Sequence, residues 1–93
     1  MKYELMFMTK PTLTEDEVKK NIEYVRGSVK GVEGVIIKED FWGKRKLAYE
    51  IKRMQEAYYT VLDLDLSQSQ VKKIASSLSS NGDIFRYLIT KKD

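Results

Sequence analysis

The sequence predicts an α+β fold in the order β-α-β-β-α-β: a four-stranded antiparallel sheet with two helices on one face. Three observations carry this. Four stretches alternate apolar and polar residues with period two. Two others carry an apolar stripe at helical spacing, each introduced by a capping sequence. Two crossovers of one hand then place both helices on the same side of the sheet. In this order the first and third strands lie inside and the second and fourth form the edges. With 93 residues, one domain over 1–93 is expected.

The first strand alternates Tyr3, Leu5, Phe7 and Thr9 with Lys2, Glu4, Met6 and Met8. Its second face carries two methionines, as suits an interior strand, and Pro11, lacking an N–H, ends it. Leu13-Thr14-Glu15-Asp16-Glu17-Val18 reads as a capping box with a Leu–Val staple, and three acids sit at the positive end of the helix dipole. Val18, Ile22, Val25 and Val29 form the stripe, while Lys19, Lys20, Glu23 and Arg26 form a solvated face. Gly31 and Gly34 fit a helix C-cap and turn.

Val35 to Trp42 is rich in β-branched and aromatic residues, and Leu47, Tyr49 and Ile51 resume the alternation after Gly43. This predicts one long strand with a glycine-marked bulge that holds its basic end away from the core; a hairpin turning at Gly43 is the alternative. Arg53-Met54-Gln55-Glu56 is the expected turn, followed by a strand over Ala57 to Leu66. There Tyr58, Thr60, Leu62, Leu64 and Leu66 share one face, opposite Asp63 and Asp65. Leu66-Ser67-Gln68-Ser69-Gln70-Val71 repeats the capping device. Val71, Ile74, Ala75 and Leu78 make the second stripe, closed by Asn81-Gly82. Ile84 to Thr90 is the last strand, and Lys91-Lys92-Asp93 is expected to fray. No layer is expected over the second face of the sheet. Nine of the ten aromatics lie on predicted strands, so some should be exposed or meet a partner.

Composition narrows the chemistry. There is no cysteine and no histidine, so disulfides, thiolate metal sites and the commonest general base are excluded. No signal or transmembrane segment is visible, and a soluble, cytoplasmic protein is expected. No glycine-rich phosphate loop is present, since Gly31-Val32-Glu33-Gly34 lacks the lysine and the spacing. Asp63 and Asp65 lie two apart on one strand face and suit a carboxylate dyad or a hard cation. Isolated surface acids are the preferred reading, because no third oxygen ligand is evident. No catalytic residue, metal site or cofactor is expected.

Charge points elsewhere. Between Gly43 and Arg53 stand Lys44, Arg45, Lys46, Lys52 and Arg53 against the single acid Glu50. That local excess exceeds the net +3 of the whole chain, so the basic character sits on one hairpin. Lys44, Arg45 and Lys46 are consecutive, so on a strand they point to alternate sides and can straddle a nucleic-acid backbone. Trp42 and Tyr49 add flat surfaces for stacking on bases or on neighbouring arginines, or for a partner contact. An edge strand blunted by lysines against aggregation explains the same residues. Arg86, between Phe85 and Tyr87, either meets a phosphate or bridges to Glu4 or another acid across the sheet.

The run Gly43-Lys44-Arg45-Lys46-Leu47-Ala48-Tyr49-Glu50-Ile51-Lys52, followed by Ala57-Tyr58-Tyr59, resembles the signature of the bacterial small-subunit ribosomal protein six family. Tyr3-Glu4-Leu5-Met6-Phe7 and Pro11-Thr12-Leu13 are similar to that family's first strand and its exit, and the likeness covers nearly the whole chain. Glu50 stands where a proline is common and Ala57 where a glycine is common, so local strand geometry is expected to differ there. The chain stops soon after the last strand, and contacts made by the C-terminal extension of some members are not carried over.

The resemblance implies a ferredoxin-like fold and a structural role in the small ribosomal subunit. It also implies pairing with small-subunit ribosomal protein eighteen and binding to the central domain of the small-subunit rRNA during platform assembly. On that footing Lys44, Arg45, Lys46, Arg53 and Arg86 are the expected rRNA contacts, with Trp42 and Tyr49 stacking or meeting the partner. Neither a membrane nor DNA is an expected partner. The chief alternative on the same fold is a regulatory module that binds a small ligand and dimerises through its sheet. An RNA-recognition motif lacks its signature here, of which Ala57-Tyr58-Tyr59-Thr60-Val61 is a faint echo. An acylphosphatase-like enzyme would need glycines and an arginine where Lys10-Pro11-Thr12-Leu13 stands. Fold alone does not decide among them.

Overall fold

The computed structural model describes residues 1–92. The elements are β1 (Lys2–Thr9), α1 (Glu15–Gly31), β2 (Val35–Ile51), β3 (Met54–Asp65), α2 (Gln68–Ser79) and β4 (Ile84–Lys92). The sheet order is β2-β3-β1-β4, antiparallel throughout, so the expected inner and edge strands are the observed ones.

Local signals act where the sequence places them. Thr14 Oγ1 accepts from the Glu17 N–H at 3.2 Å, and Glu17 Oε1 accepts from the Thr14 N–H at 2.9 Å. At α2, Gln70 Oε1 accepts from the Ser67 N–H at 2.6 Å, while the Ser67 hydroxyl lies 3.1 Å from that of Ser69. Val18, Ile22, Val25 and Val29 of α1 and Ile74 and Leu78 of α2 are buried against Tyr3, Leu5, Phe7, Leu62 and Leu64.

The α1 exit departs from expectation. Gly31 ends the helix, but the left-handed residue is Glu33, with φ 61°. The Glu33 N–H bonds the Lys30 carbonyl and the Gly34 N–H the Val29 carbonyl, both at 2.9 Å, the pattern of a Schellman cap. Gly34 is needed for a close approach instead: a Cβ there would lie 2.2 Å from Leu66 Cδ2. At the end of α2 the Asn81 side chain, not a left-handed backbone, makes the closure. Its Nδ2 donates to Asn21 Oδ1 at 2.8 Å and its Oδ1 accepts from the Asp83 N–H at 2.9 Å.

β2 is a single strand, as expected, with register shifts at Ile36/Lys38, Phe41/Gly43 and Lys46/Ile51. At the middle shift Trp42 is the extra residue and Gly43 takes φ 79°, a conformation that glycine adopts without steric cost. The expected turn over Arg53–Glu56 is corrected. The turn is Lys52-Arg53, both left-handed (φ 49° and 68°), and Ile51 pairs with Met54. A two-residue turn of this type ordinarily advertises itself as Asn-Gly, and Lys-Arg gives no such sign.

The hairpin end does not stand away from the core. Leu47 to Glu50 on β2 face Gln55 alone on β3, and this wide bulge bends the strand. Leu47, Ile51 and Met54 thereby pack on Met8, Ala57 and Phe85, partly covering the open sheet face that was expected to be bare. Lys91 and Lys92, expected to fray, pair with Tyr3 and Lys2 as part of β4. Lys92 Nζ lies 3.3 Å from Asp63 Oδ1 and 3.9 Å from Glu4 Oε2, so acids on the two inner strands hold it. Asp93 lies outside the described residues.

Candidate nucleic-acid interface

The long β2 edge sets out Lys44, Arg45 and Lys46 on alternating sides of one strand. Lys44 Nζ sits 5.2 Å from the ring centre of Tyr58, which packs on the helix-covered core. The Arg45 guanidinium sits 5.7 Å from the Trp42 ring and its Nε–H donates to the Trp42 carbonyl at 3.3 Å. Trp42 in turn stacks on Tyr59 of the open face, with ring centres 6.0 Å apart and planes at 11°. On the other face Phe41 stacks on Tyr58 at 6.3 Å. Cation–aromatic contacts of this kind fix where a guanidinium points while leaving its N–H groups free to donate. Trp42 is anchored a second way, through Nε1–H to Asp40 Oδ2 at 3.1 Å.

Among the described residues none of Lys44, Arg45, Lys46, Lys52, Arg53 or Arg86 pairs with a carboxylate. Lys46 stands opposite Glu56 on β3 and still forms no ion pair. Among the described residues the basic side chains that do pair with carboxylates are Arg26 and Lys92. Arg26 forms a two-point bond to Glu39, with Nε donating to Oε1 at 2.6 Å and Nη2 to Oε2. This bond raises the Arg26 pKa and holds the Glu39 carboxyl below the usual carboxylate range, partly opposed by burial.

The remaining site residues are placed as follows. Arg53 is in the hairpin turn itself. Arg86 lies opposite Met8, whereas Glu4 lies opposite Thr90 and is held by Lys92, so the bridge from Arg86 to Glu4 does not form. Tyr49 is 65% exposed and lines a groove with Arg86, apart from Trp42. The structure therefore gathers Trp42, Lys44, Arg45 and Lys46 at one end of the hairpin, and Tyr49 with Arg86 at the other. Lys52 joins the second group, since it borders a cleft with Arg86. It was not among the expected contacts because only the back-folding of the hairpin brings it to β4. Asp63 and Asp65 are separately occupied, by Lys92 and by the amino terminus at 3.0 Å. Among the described residues no group of three His, Cys, Asp or Glu side chains is arranged to hold a metal. No helix among them is long and apolar enough to cross a membrane. A cleft of about 620 Å³ between α1 and β2 has the Arg26–Glu39 pair on its wall.

Residues 2–91 match the family model of ribosomal protein S6. The chain belongs to the ribosomal protein S6 family. It is 37% identical to small ribosomal subunit protein bS6 of Clostridium perfringens, covering 99% of this chain and 97% of that one. With the bS6 of Clostridium botulinum it shares 34% identity over 99% and 98% of the two chains. Its backbone is similar to the crystal structure of 30S ribosomal protein S6 from Thermotoga maritima, with a TM-score of 0.94 at 28% identity, covering 98% of this chain and 86% of that one. Membership gives the chain the role of a small-subunit ribosomal protein, with the ferredoxin-like order of elements described above.

Proposed function

We propose that this chain is a structural constituent of the small ribosomal subunit that binds the central domain of the small-subunit rRNA together with small-subunit ribosomal protein eighteen. The observation that carries this is the set of cations at Lys44, Arg45 and Lys46, the first two held over the rings of Tyr58 and Trp42 and all three paired with no carboxylate among the described residues. Such cations exchange water and small counterions for phosphates at little cost in lost partners. Arg53 and Arg86 extend the contact, and Trp42 and Tyr49 stack or meet the partner protein. Pairing with protein eighteen rests on the family resemblance. The mixed apolar and charged open face around exposed Trp42, with Val61, Asp63 and Lys92 beside it, offers surface for it.

The test is co-sedimentation of the tagged protein with small subunits washed at rising salt. Release at high salt, and at lower salt after charge reversal at Lys44 and Lys46, is expected. A protein that stays at the top of the gradient at every salt would overturn the reading.

A further inference from the structure

Two depressions lie where the folded-back hairpin meets β4. One, of about 230 Å³, is an apolar groove whose lining includes Met6, Met8, Leu47, Tyr49 and Leu88. The other, of about 420 Å³, lies between Lys52 of the turn, Arg86 and Tyr87 of β4, and Ser79 at the end of α2. Arg86 borders both. Tyr49 and Leu88 leave large apolar surfaces in solvent, while Lys52 and Arg86 meet no carboxylate among the described residues. The hydroxyls of Ser79 and Tyr87 lie 3.0 Å apart beside these cations.

We infer that the two depressions together take one unstacked nucleotide of a single-stranded RNA segment. Its base enters the apolar groove beside Tyr49, and its phosphate lies between Lys52 and Arg86. This rests on the RNA-binding reading above and adds a second place of contact, separate from Lys44–Lys46. A flat apolar ring joined to an anion matches an apolar groove joined to two cations and two hydroxyls. An aliphatic protein side chain would fill the groove and leave the cations unused. Unpaired bases laid on aromatic rings are the general means by which proteins grip single-stranded RNA. The backbone adds an independent sign: Lys52 and Arg53 hold left-handed conformations that glycine would adopt without strain. Strained residues persist where their side chains have a use.

The intact protein is titrated with adenosine 5′-monophosphate, adenosine, inorganic phosphate and hexaadenylate, with binding followed residue by residue by NMR. The monophosphate is expected to move the signals of Tyr49, Leu88, Lys52 and Arg86 together. Adenosine should move only the first two and phosphate only the last two, each binding about tenfold more weakly. Lys52→Asn, which keeps a residue tolerant of the left-handed turn, should reduce monophosphate affinity to that of adenosine. Tyr49→Ala should weaken hexaadenylate about tenfold while Tyr49→Phe retains it. Lys52→Asn with Arg86→Gln should lower the hexaadenylate salt slope by about 1.4.

A monophosphate that binds no better than its fragments, or hexaadenylate that moves only signals around Lys44–Lys46, would overturn the inference and leave the wider RNA reading standing. A partner protein that protects Tyr49 and Leu88 and resists displacement by excess hexaadenylate would overturn it too. Conversely, Lys44→Glu with Lys46→Glu that leaves rRNA affinity unchanged, beside an intact monophosphate signature, would remove the Lys44–Lys46 interface and keep this one.

Discussion

Replacing Lys52-Arg53 with Asn-Gly separates the strain of the hairpin turn from the use of its charges. Both residues are left-handed, with φ of 49° and 68°. An L-residue in that region costs roughly 1–2 kcal/mol, so the pair carries on the order of 2–4 kcal/mol of strain. Asparagine relieves only part of its share, and glycine gives back about 0.5–1 kcal/mol in lost chain freedom. The expected net gain is about 1 kcal/mol, which for a domain of this size raises Tm by roughly 4–8 °C. Circular dichroism melting measures it. The same variant loses two cations beside the proposed RNA surface, so its log–log salt slope for rRNA binding should fall by up to about 1.4. A lower Tm would refute the strain argument. A higher Tm with unchanged RNA affinity and slope would refute any role for the charges at the tip.

Three further outcomes follow from the interior and its rim. Thr60 is buried with no hydrogen-bond partner for its hydroxyl among the described residues, so Thr60→Val should stabilise by about 1 kcal/mol in urea titrations. Gly34→Ala forces a methyl against buried Leu66 and within 3.2 Å of the Val29 carbonyl oxygen, and should cost about 1–3 kcal/mol in the same assay. Glu39 has a pKa lowered by its bond to Arg26, so its contribution is present above the ordinary carboxylate pKa and lost as pH falls through the lowered folded value. Glu39→Gln should therefore destabilise by about 0.5 kcal/mol at neutral pH, and the difference should vanish in acid.

Much of this was legible in the residues because the deciding physics is local. The Thr14–Glu17 box, the Val18–Val29 stripe and the alternation of β1 and β3 each fix an element without help from distant contacts, and their order fixes the sheet. The Gly43 bulge was legible for the same reason. What escaped depends on contacts across the fold. Glu33 takes the left-handed cap position because Gly34 is required against Leu66, a residue that follows β3. Lys92 stays in β4 because Glu4 and Asp63 lie on the two inner strands. The back-folding of the hairpin comes from Leu47, Ile51 and Met54 finding Met8 and Phe85, so neither the turn position nor the meeting of Lys52 with Arg86 shows in the hairpin's own sequence. Of the site, the charge cluster and its aromatics were readable from composition. Its division between two ends of the hairpin was not.

The most direct test of the RNA interface is the salt dependence of binding to the central-domain rRNA, for the chain alone and with protein eighteen present. With about four phosphates neutralised, the slope of log K against log salt should lie near −3 and become clearly shallower for Lys44→Glu with Lys46→Glu. A slope near zero, or one that the double reversal leaves unchanged, would contradict the assignment of this edge to RNA.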